Sequence, residues 1–283
     1  MELAYYAGEF RDINEAVIPI DERGHQFGDG VYEFIRVYKG VPFSIERHLD
    51  RLERSAKAIF IELPVSRQEL KDIIHQAMEK STLKDADIYI QVTRGIAPRN
   101  HLFPDVPAQL ALTIRHPRQT PEEAYEKGIS TLLLEDERWA NCYIKSLNLL
   151  PNLLAKQAAA SKGCKEAILV KDGYITEGSS SNVFAIKDNV LFTTPATRKI
   201  LSGITRANVL ECAQEQAIQI REQNMTPSFL KDADEVFITS TSVGLLPVSK
   251  IDEVELPTFR PVTVALKHAY SLRTAGTKAY QLE

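Results

Sequence analysis

The segment His116-Pro117-Arg118-Gln119-Thr120-Pro121 constrains this chain more than any other. It is polar, holds two prolines and has neither the helical nor the strand period. Each proline fixes φ and removes an amide donor, so no regular element is expected to run through it. It divides 283 residues into two stretches, each with periodic segments of its own. That length is compatible with one or two domains, and two α+β domains parted near residue 120 are the reading taken here. The boundaries are 1–117 for a smaller N-terminal α/β domain, 118–122 for the linker and 123–283 for a larger β-rich domain.

Upstream of the break, residues 31–38 are rich in β-branched and aromatic types and read as a strand with Tyr32, Phe34, Arg36 and Tyr38 on one face. Leu49, Leu52, Ala56 and Ile59 recur at helical spacing until Pro64. Ser66 and Glu69 form a capping box ahead of a second helix, and 87–94 and 109–115 alternate as strands. Downstream, 129–134 reads as a strand and 152–161 as a helix. Short strands follow at 167–170, 174–177, 182–186 and 190–193, then a helix at 205–217, a strand at 235–240 and a last helix at 261–275. No repeat or low-complexity tract interrupts this order.

Composition excludes whole classes. With 38 acidic against 34 basic residues the net charge is −4, so the basic face of a nucleic-acid binder is not expected. No run approaches the roughly 18 apolar residues of a membrane helix, and residues 1–6 lack the pattern of a signal peptide. Cys142, Cys164 and Cys212 show no metal or redox spacing, so no metal is expected. They fit a reducing compartment, hence a cytoplasmic protein.

A few segments could carry chemistry. Lys145 sits in the apolar stretch 142–150, where desolvation can make a lysine a usable amine; a snorkelling side chain is the alternative. Glu177 closes a strand ahead of three serines, either buried against a cation or solvated; the serines hint at a ligand-facing loop. Gly203-Ile204-Thr205-Arg206 opens a helix, where free amides and the dipole favour an anion, unless Thr205 merely caps it. Ser240-Thr241-Ser242 offers hydroxyls after a strand, or is only a polar turn. Arg99 and His101, two apart, could grip a carboxylate or belong to an ordinary surface loop; Arg51 on its own reads as a solvated helix face.

Taken with their neighbours, these segments resemble the fold-type IV pyridoxal-phosphate enzymes, the class-IV aminotransferase family. The resemblance rests on DERGHQFGDGVYEFIRVY (21–38), HLDRL (48–52), YIQVTRGIAPRNHLFP (89–104), IKSLNLLPNLLAKQ (144–157), EAILVKDGYITEGSSSNVF (166–184), LSGITR (201–206) and VFITSTSVGLLPV (236–248), all in family order. It implies a small α/β domain, a larger β-rich domain and pyridoxal 5′-phosphate between them. It implies that Lys145 holds the cofactor through its amine and moves protons. It also implies that Glu177 pairs with the pyridine nitrogen. Arg51, the amides of Ile204 and Thr205, Thr241 and Ser240 are implied to receive the phosphate. Tyr32, Arg99 and His101 would trap the substrate carboxylate, with the Arg and His supplied by the other subunit of a homodimer.

Three activities share that cofactor core: transamination of D-amino acids with a 2-oxo acid such as pyruvate or 2-oxoglutarate, transamination of branched-chain L-amino acids, and elimination of pyruvate from 4-amino-4-deoxychorismate. The Arg99-x-His101 pattern with Tyr32 matches the D-amino acid enzymes, and this is the expectation. The lyase is the first alternative. A non-enzymatic role predicts loss of the lysine or the carboxylate, and both are present. The likeness thins after residue 250, where Glu255–Pro261 stands in place of a glycine-rich turn.

Overall fold

The computed structural model describes residues 1–276, so residues 277–283 of the expected second domain lie outside the described residues. The architecture is α+β, in two compact units. One comprises Met1–Arg118 and Ile144–Asn148, the other Gln119–Tyr143 and Leu149–Thr274. The short segment around Lys145 therefore belongs with the N-terminal residues, although 26 or more positions separate it from them in the sequence.

The first unit is built on a six-stranded sheet. Its elements are β1 (Leu3–Tyr6), β2 (Glu9–Arg11), α1 (Arg23–Phe27), β3 (Gly30–Tyr38), β4 (Val41–Pro42), α2 (Ile45–Ala58), α3 (Arg67–Ser81), β5 (Ala86–Thr93) and β6 (Gln109–Arg115). The strand order is β2-β1-β6-β5-β3-β4, antiparallel at each neighbouring pair. In β3 the alternation expected from the sequence holds: Val31, Glu33, Ile35 and Val37 are buried while Tyr32, Phe34, Arg36 and Tyr38 are only half-buried. The buried face meets the apolar stripe Leu49, Leu52 and Ala56 of α2 in one core. The capping box of α3 is present in both directions, Glu69 N to Ser66 Oγ at 3.2 Å and Ser66 N to Glu69 Oε2 at 2.7 Å.

The second unit holds a nine-stranded mixed sheet. Its elements are α4 (Glu122–Lys127), β7 (Ile129–Glu135), α5 (Leu150–Ser161), β8 (Glu166–Lys171), β9 (Tyr174–Gly178), β10 (Asn182–Lys187), β11 (Val190–Thr193), α6 (Ile204–Glu215), β12 (Ile220–Glu222), α7 (Pro227–Lys231), β13 (Glu235–Ser240), β14 (Gly244–Ile251), β15 (Val254–Glu255) and α8 (Pro261–Ala275). The path β12-β11-β10-β13-β14-β7-β8-β9 is joined by parallel pairings at β11–β12, β14–β7 and β7–β8. Phe184 of β10 and Phe237 of β13 stack at 4.9 Å in its interior. Strand β14 is a departure from the sequence reading. Pro247 and the turn residues before it masked a strand that takes its pairing from both neighbours and shifts register near Val248. Among the described residues no helix is long and apolar enough to cross a membrane.

Candidate active site

In the first unit Lys145 is laid against the start of β3. Tyr32 N donates to Lys145 O at 2.9 Å, Leu147 N donates to Gly30 O at 3.0 Å, and Val31 and Ser146 form an antiparallel bridge. This approach requires a glycine at 30, because a Cβ there would meet Val92 O at 2.6 Å and Leu147 Cδ1 at 2.9 Å. Lys145 N in turn donates to Ser55 Oγ of α2 at 3.2 Å. The amine lies 4.2 Å from the Tyr32 ring centre, and among the described residues no carboxylate is within ion-pair distance of it. A half-buried amine over an aromatic face, with its backbone fixed on two sides, is what a nucleophilic lysine needs.

Arg51, four residues before Ser55 on α2, is not solvated: it is 4% exposed. Its guanidinium forks onto the carboxylate of Glu33, Nε to Oε1 at 2.6 Å and Nη2 to Oε2 at 2.9 Å. His48 Nδ1 lies 2.6 Å from Glu33 Oε2 and donates to it, since an ionised carboxylate only accepts. Burial alone would raise the pKa of Glu33, but the charges of Arg51 and His48 and their hydrogen bonds hold it far below the ordinary carboxylate range. For His48 burial pushes the imidazole down, Glu33 pulls it back up, and the charges of Arg51 and Lys145 add to the lowering. Neither Glu33 nor His48 stood out in the sequence. Glu33 occupies the apolar face of β3, and a carboxylate among Val31, Ile35 and Val37 was the signal that could have found it.

Arg99 and His101 lie in an exposed loop of the same unit, while the Tyr32 ring packs on Tyr89 at 5.6 Å. Burial, and then the Tyr32 hydroxyl, push the Tyr89 phenol up to about 12. Arg99 stacks on the Phe27 ring at 4.2 Å, and His101 tilts against the same ring at 5.7 Å.

In the second unit Glu177, at the end of β9, is 4% exposed and is met by a cation, as one of the two sequence readings required. Arg138 Nη1 donates to Oε1 at 2.5 Å, Asn182 Nδ2 to Oε2 at 3.0 Å and Leu201 N to Oε1 at 3.0 Å. Arg138 is itself held by Asp136, Nε to Oδ1 at 2.9 Å and Nη2 to Oδ2 at 2.8 Å. Burial raises the pKa of Glu177, and Arg138 with the Leu201 amide opposes the rise.

The serines after Glu177, which the sequence hinted to be a ligand-facing loop, have a partner inside the unit. Ser179, Ser180 and Ser181 all donate their hydroxyls to the buried carboxylate of Glu166, at 3.1 Å for the last two. These bonds fix the turn between β9 and β10.

Asn182 connects Glu177 to the start of α6. Its amide also donates to Leu201 O at 2.9 Å, and a Cβ at Gly203 would collide with its side-chain oxygen. Gly203 is the N-cap of α6 and supplies no side-chain bond, so Thr205 is not the cap; it is a buried residue of the first turn. The Ile204 and Thr205 amides are left at the positive end of the helix dipole. Strand β13, against which α6 packs, carries Ser240 at its end, and Ser240 Oγ lies 3.1 Å from Ser242 Oγ with Thr241 between them.

This chemistry fits pyridoxal phosphate on three counts. An amine without a carboxylate partner can hold an aldehyde. A buried carboxylate with a cation behind it can accept from a ring N–H. An uncapped helix start entered through glycine, followed on the neighbouring strand by hydroxyls, can take a phosphate.

Residues 30–251 match the family described as amino-transferase class IV, and the chain belongs to that family. Among curated relatives it is 41% identical to a D-alanine aminotransferase of Bacillus licheniformis, over 96% of this chain and 98% of that one. It is 42% identical to a D-alanine aminotransferase of Staphylococcus epidermidis, over 89% and 90% of the two chains. Among solved structures it superposes on the branched-chain amino acid aminotransferase of Escherichia coli with a TM-score of 0.88 at 28% identity, covering 95% of this chain and 93% of that one. It superposes on a T.th. branched-chain amino acid aminotransferase complexed with N-(5′-phosphopyridoxyl)-L-glutamate with a TM-score of 0.88 at 26% identity, covering 97% and 94%.

Proposed function

We propose that the chain is a pyridoxal-phosphate-dependent transaminase of D-amino acids, D-alanine among them, with a 2-oxo acid such as pyruvate or 2-oxoglutarate as the second substrate. The observation that carries the reading is Lys145, an amine with no carboxylate partner among the described residues, fixed beside Tyr32.

When bound, the cofactor supplies an electron sink for the pair left at the substrate Cα. In the first unit Lys145 would hold the cofactor through its amine and, with that amine free, would carry the proton from the substrate Cα to the cofactor's C4′. Arg51, its direction set by Glu33, is a phosphate ligand. In the second unit Glu177 keeps the pyridine nitrogen protonated, with Arg138 favouring the ionised carboxylate. The Ile204 and Thr205 amides, Ser240 and Thr241 are further phosphate donors. The reaction is ping-pong: the first 2-oxo acid leaves before the second enters.

The choice of D over L rests on Arg99-x-His101 with Tyr32 and on the 41–43% identity to curated D-alanine aminotransferases. The branched-chain enzymes share the fold at 25–28% identity. The protein is further assigned as a cytoplasmic homodimer in which Arg99 and His101 serve the partner's substrate. The cofactor's absorbance tests the function: D-alanine should bleach the visible band and yield pyruvate, and L-alanine should not. A response to L-amino acids alone, or to aminodeoxychorismate alone, overturns the D-specific reading, and failure to bind pyridoxal phosphate overturns the class.

A further inference from the structure

Arg99 stands apart from its neighbours in what neutralises it. Arg23 and Arg94 are both buried and share the carboxylate of Asp29, Arg23 Nε to Oδ2 at 2.8 Å and Arg94 Nε to Oδ2 at 2.9 Å. Arg94 spends its other nitrogens on the carbonyls of Ile59 and Phe60, at 2.7 and 3.0 Å. Arg99 is exposed, and among the described residues it makes no ion pair or hydrogen bond. Its guanidinium carbon lies 4.2 Å from the Phe27 ring centre. Arg23 lies 4.7 Å from the same centre, and His101 tilts against the ring at 5.7 Å.

A ring face attracts a cation without occupying its N–H donors. Stacked this way, Arg99 keeps its five donors for a planar anion, whereas a carboxylate partner in its place would consume the charge and two of them. The loop that carries Arg99 is strapped to the α1 region along its length. Arg23 N donates to Gly95 O at 3.0 Å, Ala97 N donates to Asp21 O at 3.1 Å, and Glu22 bridges Ile96. Arg23 Nη1 donates to Asn100 O at 2.6 Å, and the Asn100 side chain accepts from Leu102 N at 3.1 Å. Backbone straps fix where the loop runs; the Phe27 ring addresses where the Arg99 side chain points.

We infer that Phe27 is a positioning residue for the substrate carboxylate: its ring holds Arg99, and against its edge His101, in the orientation that receives the carboxylate. The inference rests on the assignment of Arg99 and His101 to that carboxylate.

The test uses the holoenzyme with Phe27→Leu, which keeps apolar bulk without a π face, and Phe27→Tyr, which restores the face. In Phe27→Leu the KM for D-alanine and for the 2-oxo acid should rise about fivefold, with kcat and cofactor content near the parent's, and Phe27→Tyr should recover the parent KM. The dissociation constant of propionate, an unreactive carboxylate, read from the cofactor's absorbance, should rise by the same factor. An unchanged KM and propionate affinity in Phe27→Leu overturns the inference, as does an equal loss in the Tyr variant. Should Phe27→Leu fail to fold, Phe27→Met replaces it with the same expectations. A parent enzyme that does not consume D-alanine overturns the proposed function instead, which separates the two failures.

Discussion

Arg138 donates to Glu177 at 2.5 Å in a pair that is buried at both ends, and it is the only cation among the described residues that ion-pairs with that carboxylate. The pair is backed by Asp136, which occupies two other nitrogens of the guanidinium. The consequence is electrostatic: burial drives Glu177 towards its neutral acid, and Arg138 is what keeps an anion available.

Arg138→Met should therefore leave Glu177 protonated in the working pH range. A neutral acid cannot favour the protonated pyridine nitrogen, and kcat should fall about 100-fold, the scale for losing one preorganised charge contact. Because the pKa of Glu177 is already raised, protonation on acidification begins above the ordinary 4.5. The acid limb of the kcat profile should accordingly move to higher pH in Arg138→Met and move less in Arg138→Lys. A pH–rate profile of the three proteins checks this, and superimposable acid limbs would contradict it.

Glu33 gives a prediction about stability, with the opposite sign. Its pKa is lowered in the folded chain, so the native state stays unprotonated as the pH falls below 4.5 while the unfolded chain takes up a proton. Stability contributed by Glu33 is fully present above 4.5 and is lost as the pH falls through the folded value. His48, lowered from 6.5, loses stability in the same direction over a higher range. Glu33→Gln should cost about 3–5 kcal/mol at pH 7, because Arg51 is left buried without its counter-charge. Its stability should also depend less on pH below 4.5 than the parent's. Urea denaturation at a series of pH values measures both effects.

The sequence disclosed elements whose period was clean and residues whose role is local. Strands β3, β6 and β13, the capped helix α3 and helix α8 stand where periodicity places them. It did not disclose α1, a short and mostly polar helix held by the Glu22 side chain accepting from His25 N at 2.8 Å. The same division runs through the site. Lys145 and Glu177 could be singled out because their immediate neighbours are unusual. Arg51 could not, because its burial depends on Glu33, 18 positions earlier on a different element. Arg138 was missed for a like reason, its partner lying 39 positions on. A residue whose meaning is its partner becomes legible only when the fold supplies the partner.

Arg99 predicts a split between binding and turnover. Its side chain is exposed and has no acidic partner among the described residues, so Arg99→Ala should fold and retain cofactor. Losing a charge-assisted, bidentate contact costs about 1.5–3 kcal/mol, which raises KM for D-alanine roughly 10- to 150-fold. Steady-state kinetics beside a cofactor titration would show it, and an unchanged KM removes Arg99 from the substrate site.

The homodimer assignment predicts a complementation that a monomer cannot give. Lys145→Ala chains lack the amine but carry an intact Arg99; Arg99→Ala chains have the reverse. Each should be nearly inactive by itself at low D-alanine. If Arg99 serves the partner's substrate, a mixed dimer contains one site with both residues and one with neither. Random exchange places half the dimers in the mixed class, so activity should return to about a quarter of the parent's at low D-alanine. The recovery should require subunit exchange, appearing after mild denaturant or prolonged mixing and not on immediate assay. If Arg99 acts within its own chain, no mixture of the two variants forms a complete site, and activity stays at the sum of the separate proteins.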